Sequence, residues 1–95
     1  MRVLAPDVRI TDAALTHIVV QAAEAVEGAR VRRPRRHLEI GIDGASAGVE
    51  LELAVTYGKV IPDVVREVQE RVAAALGTMC GVNVIAVNVS VEELD

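Results

Sequence analysis

Val49-Glu-Leu-Glu-Leu-Ala-Val-Thr-Tyr57, "VELELAVTY", alternates apolar and more polar residues along its length. A period of two sends Val49, Leu51, Leu53 and Val55 to one side of a strand and Glu50, Glu52, Ala54 and Thr56 to the other. One side belongs in a core, the other in water. Immediately upstream, Asp43-Gly-Ala-Ser-Ala-Gly48 carries turn residues, and His37-Leu-Glu-Ile-Gly-Ile-Asp43 alternates again with Leu38, Ile40 and Ile42 inward. The two runs pair as a hairpin.

Beyond the hairpin, Gly58 ends the strand and Pro62 suits the first turn of a helix running to about Leu76 or Met79, where its missing N–H costs little. The apolar stripe of that helix reads Val65, Val68, Val72, Ala75, Leu76 and Met79. A last strand, Val82 to Val91, turns Ile85, Val87, Val89 and Val91 inward and Asn88 and Ser90 outward. On the N-terminal side, Val8-Arg-Ile10 is a short extended lead-in, and Thr11 can cap a helix reaching about Glu27 and stopping at Gly28. Leu15, Ile18, Val19, Ala22 and Val26 form its apolar stripe. The order helix, strand, strand, helix, strand closes most simply as an α+β two-layer sandwich, with two helices on one face of a small three-stranded sheet. A short extra N-terminal strand is compatible with this. Residues 1–95 are expected to form a single domain with a core of about 8–92.

The 95 residues are 52% hydrophobic, yet Tyr57 is the one aromatic, so the core must be aliphatic. Cys80 is the single cysteine, which excludes an internal disulfide and fits a reducing compartment. With only His17 and His37 beside it, it cannot assemble an ordinary structural zinc site, and no metal or cofactor is expected. No apolar run reaches the ~18–20 residues that span a bilayer, and MRVLAPDVRI lacks a secretion signal's apolar middle. A cytoplasmic location is expected. His17 and His37 lie on different elements, without partners at ligand or triad spacing, and no cation flanks Cys80 to activate it. The chain reads as non-enzymatic.

Several short words of the sequence recur in a known order. Tyr57-Gly58, Ile61-Pro62, Val68-Gln69, Val72, Met79, Gly81 and Val87-Asn-Val-Ser-Val91 resemble the alkaline shock protein family, the general stress or envelope stress response family of Gram-positive bacteria. Ala22-Ala-Glu-Ala-Val-Glu-Gly28 looks like the same family's first helix end. The likeness covers about residues 8–92. It implies a small, non-enzymatic, stress-associated cytoplasmic protein, of a kind that in some relatives self-associates and sits beneath the membrane through a membrane-anchored protein partner. No catalytic residue comes with it. This chain departs from the family where an arginine run replaces a longer Gly, Ser and Lys segment, and where Cys80 replaces a frequent Thr.

That run, Arg30-Val-Arg-Arg-Pro-Arg-Arg-His37, holds five arginines, and the other five cations face fourteen Asp and Glu, leaving a body of net −9. Pro34 should interrupt regular pairing, making the segment a connection from helix to sheet. Arg30, Arg32, Arg33, Arg35 and Arg36 could meet only water, an acidic protein surface, or weakly an anionic membrane, where five basic residues contribute at most ~5 kcal/mol. The acidic surface could be Glu39, Glu50 and Glu52 on the outer sheet face of another copy, a head-to-tail contact that would build chains or rings. The alternative function is a KH-like RNA-binding module using Arg30–His37. Gly41-Ile-Asp-Gly44 has the Gly-x-x-Gly spelling of the KH loop, but it sits at a hairpin turn and Asp43 would repel phosphate. An acidic sheet face without aromatic rings is likewise a poor nucleic-acid platform.

Overall fold

The computed structural model describes residues 2–5, 8–10, 12–34 and 36–94, with side chains at 13–34 and 36–94. Its elements are β1 (Arg2–Ala5), β2 (Val8–Ile10), α1 (Asp12–Glu24), β3 (Ala29–Arg32), β4 (Glu39–Asp43), β5 (Ser46–Val55), α2 (Ile61–Cys80) and β6 (Asn83–Leu94). Thr11, the expected helix cap, lies outside the described residues. The lead-in pairs antiparallel with β1 as a separate two-stranded ribbon.

The stretch VELELAVTY supplies most of β5, the strand on which the main sheet is built. β4 pairs antiparallel with its first half, Glu39 opposite Glu50 and Ile40 opposite Val49, as the hairpin reading requires. β6 runs parallel along its other edge, with Val87 beside Val49, Val89 beside Leu51 and Val91 beside Leu53. α2 is the crossover that parallel neighbours need. Ala47, Val49, Leu51, Leu53 and Val55 are buried, and they share one core with Leu15, Val19, Ala23 and Val26 and with Val64, Val68, Val72, Leu76 and Cys80 of α2. Both helices therefore cover the same sheet face, and the α+β two-layer sandwich holds.

The strand count does not. The main sheet has four strands, because Ala29–Arg32 forms β3, antiparallel to the second half of β5 with Val31 opposite Leu53 and Arg32 opposite Glu52. The expectation of an unpaired basic connection fails for a physical reason. Pro34 comes only after β3 has ended, and buried Val31 between two outward arginines is itself a period-two pattern. On the outer edge of β3 the Val31 N–H donates to Glu24 Oε2 at 2.9 Å, so a carboxylate at the end of α1 closes what an open edge would leave unsatisfied. β3 and β4 lie end to end along one edge of β5. Between them the chain leaves the sheet in a turn whose hub is the Arg33 carbonyl, accepting from the Arg36 and His37 N–H groups at 3.0 and 2.9 Å.

Four side chains expected on apolar faces change place. The α2 seam is Val64, Val68, Val72, Leu76 and Cys80. Steps of four advance about 40° each around a helix of 3.6 residues per turn, so the seam ends on Cys80 and leaves Met79 exposed and Val65 and Ala75 half-buried. Ile85 is not inward but 69% exposed, because the β5–β6 register shifts between Ala47 and Gly48 and Val84 takes the core-facing place. α1 ends at Glu24 rather than Glu27, and a turn carries the chain to Gly28.

Gly77 sits in the interior of α2 at an exposed position, and a Cβ there would meet only the Val82 carbonyl at an ordinary 3.6 Å. Gly77→Ala is therefore expected to stabilise the fold by about 0.5–1 kcal/mol through reduced backbone entropy, read as a rise in the urea midpoint.

Candidate interaction surface on the outer sheet face

The pairing of β3 decides what the arginine segment does. Arg30 and Arg32 share the outer face with Ala54 and Glu52, their partners in register, and Glu93 stands beside Ala54 on β6. Arg32 Nε lies 3.0 Å from Glu93 Oε1, Arg32 Nη1 lies 3.5 Å from Glu52 Oε1, and Arg30 Nη2 lies 3.9 Å from Glu93. His37, where the turn returns to the sheet, places Nδ1 in hydrogen-bond contact with Glu52 Oε2. Ala54 is only 1% exposed on this otherwise polar side, in register between Arg30 and Glu93. Two of the five arginines thus meet acidic residues of their own sheet.

The other site residues remain separate from this cluster. Arg33 and Arg36 are exposed on the turn and in no ion pair among the described residues; Arg35 lies outside them. Glu39 and Glu50 face each other directly across β4 and β5, like charges in a position where opposite charges stabilise. Beside them Gly41, Gly48 and Ala86 form a cross-strand row with almost no side chain. The result is a shallow trough lined by Glu39, Gly41, Gly48, Glu50 and Asn88. Sequence reasoning missed Glu93 because it ended the last strand at Val91. A second register shift, between Leu53 and Ala54, skips Glu92 and brings Glu93 beside Ala54, which no pattern within residues 82–95 foretells.

Glu52 is held below the ordinary carboxylate range, first by its hydrogen bond with His37, against the opposing effect of desolvation, and then by the charges of His37, Arg32 and Arg33. Glu27 is lowered by the hydrogen bond and the charge of Lys59, 2.9 Å away. A carboxylate with a depressed folded value contributes stability above its unfolded value of about 4.3 and loses it as pH falls through the lower, folded value. The wild-type urea midpoint should therefore exceed that of Glu52→Gln at pH 6, and the gap should narrow as the pH is lowered to 3. A gap that stays constant between those pH values would show that Glu52 contributes nothing through its charge.

Among the described residues, no three of His, Cys, Asp and Glu converge where they could hold a metal ion, and no helix is long and apolar enough to cross a membrane. Cys80 is buried as the last residue of α2, and exposed His17 lies on α1. Gly41 to Gly44 run from β4 into the hairpin turn, not between two helices.

Comparison with solved structures finds the same architecture in the MamM CTD. A manganese form of that domain aligns with a TM-score of 0.59 at 25% identity, covering 87% of this chain and 99% of that one. A cadmium form aligns with a TM-score of 0.57 at 26% identity over 85% and 94% of the two chains. No curated protein matches the chain. A family model does, over residues 29–95, from the first residue of β3 onward. As the Tyr-Gly, Ile-Pro and Val-Asn-Val words led one to expect, the chain belongs to the alkaline shock protein 23 family, described as having a cell envelope-related function.

Proposed function

We propose that this protein is a non-enzymatic interaction module, a scaffold working in the cytoplasm close to the envelope, which self-associates and is held near the membrane by an anchored protein partner. The observation that carries this reading is the uncovered sheet face. Helices shield one side only, and the other presents Glu39, Glu50 and Asp43, with Arg33 and Arg36 on the turn that enters β4 at Glu39, charges of both signs left without ion pairs among the described residues. Such a mixed surface is solvated in isolation and complementary to another of the same kind. Family membership supplies the connection to the envelope.

The RNA-binding alternative is weakened by the same geometry. Arg30 and Arg32 are drawn onto Glu52 and Glu93, and the remaining exposed arginines stand next to an acidic trough that repels phosphate. Multi-angle light scattering at near-physiological salt, over a range of protein concentrations, tests the proposal together with co-purification from detergent-solubilised membranes. A mass that rises with concentration is expected. A single-chain mass at every concentration, with no protein retained, would remove the reading.

A further inference from the structure

Resting on the self-association reading above, we propose which surfaces meet: Arg33 and Arg36 of one copy seat in the Glu39/Glu50 trough of a second, and the same two arginines of the second copy seat in the trough of the first. Charge complementarity selects the occupant. The trough carries two directly opposed carboxylates without a cation among the described residues, and the same chain carries the exposed guanidinium groups of Arg33 and Arg36, which form no ion pair among them. Arg33 directly follows Arg32, whose guanidinium meets Glu52 on the outer face, and its charge adds to those that lower the Glu52 carboxyl. Floor and depth come from Gly41, Gly48 and Ala86, whose row lets a long side chain approach the backbone.

Adjacency fixes the symmetry. The turn re-enters the sheet at β4, whose first residue is Glu39, so turn and trough are neighbours on one face. Two neighbouring, mutually complementary patches satisfy each other across a twofold axis, giving a closed pair rather than the chains or rings that head-to-tail contact would build. A ten-residue β5 flanked by a strand on each side offers a face of roughly 33 Å by 10–14 Å. That is at the low end for a specific interface, so the pair should be weak and salt-sensitive.

The test is a charge exchange read by light scattering. Arg33→Glu with Arg36→Glu, and separately Glu39→Arg with Glu50→Arg, should each weaken association by at least about tenfold, because like charges then face each other. Mixed in equal amounts, the two variants should recover a two-chain mass. A third variant, Gly48→Val, should leave thermal stability unchanged or raised, since a Cβ there meets nothing within 4 Å, while filling the trough and abolishing the pair. Wild-type association that survives all three variants would overturn this contact and leave the self-association reading intact. A mixture that stays at single-chain mass, or assemblies larger than two chains, would overturn the reciprocal geometry. A wild type that never associates would remove both.

Discussion

Leu53→Ala is expected to lower the unfolding free energy by about 3 kcal/mol, within the ~2–5 kcal/mol range for emptying a fully buried leucine site. Leu53 has no exposed surface and lies in β5, the strand paired along both edges. In its row it stands between Val31 of β3 and Val91 of β6, so no side chain can swing in from an open edge to fill the space. The surrounding core is Val, Ala and Leu, whose short and stiff side chains relax little. For a chain of this size the loss corresponds to a fall in Tm of roughly 10–25 °C. The comparison is Leu94→Ala at the end of β6, where the side chain is 52% exposed and the loss should be well under half as large. Urea unfolding followed by far-ultraviolet circular dichroism measures both. A Leu53→Ala loss below about 1 kcal/mol would mean that the core collapses around the site, contrary to the rigidity argued from its composition.

β5 was legible in the sequence because its pattern is internal: the four alternate apolar residues Val49, Leu51, Leu53 and Val55 declare a buried face whatever lies beside them. α2 was legible for the same reason, with Pro62 marking its start; its end, expected at about Leu76 or Met79, comes at Cys80, where Gly81 closes it in a left-handed conformation at φ 67°. β3 was not legible. Ala29-Arg-Val-Arg32 offers one large apolar side chain among two charges, and what makes it a strand is tertiary: Leu53 opposite Val31 and the Glu24 carboxylate on the Val31 N–H. The register shifts that expose Ile85 and place Glu93 belong to the pair β5–β6, since a bulge is a mismatch between two strands and neither strand carries it alone. The candidate site divides along the same line. Outward Glu39, Glu50 and Glu52 follow from alternation, whereas the capture of Arg30 and Arg32 follows from a register that only the folded sheet sets.

That register starts at Gly28, and Gly28→Val is expected to cost about 2–3 kcal/mol, most of it in the backbone. Gly28 has φ +88°, a conformation that a branched side chain tolerates poorly. An added Cβ would also come within 2.9 Å of Lys59 Cγ. The lysine stem can move away, and the exposed Glu27–Lys59 pair it would sacrifice contributes little. The backbone has no such freedom. The Gly28 carbonyl accepts the Thr56 N–H at 2.9 Å, and the next residue, Ala29, is already in register with Val55, so rotating φ to a negative value breaks the first rungs of β3. Gly28→Asn should cost distinctly less, because asparagine tolerates a positive φ. The Thr56 amide gives a local readout, with hydrogen exchange accelerating in Gly28→Val beyond what global destabilisation accounts for. Equal losses for Val and Asn would put the cost in the contact with Lys59 instead. An unchanged Thr56 amide would show that β3 keeps its register without the glycine.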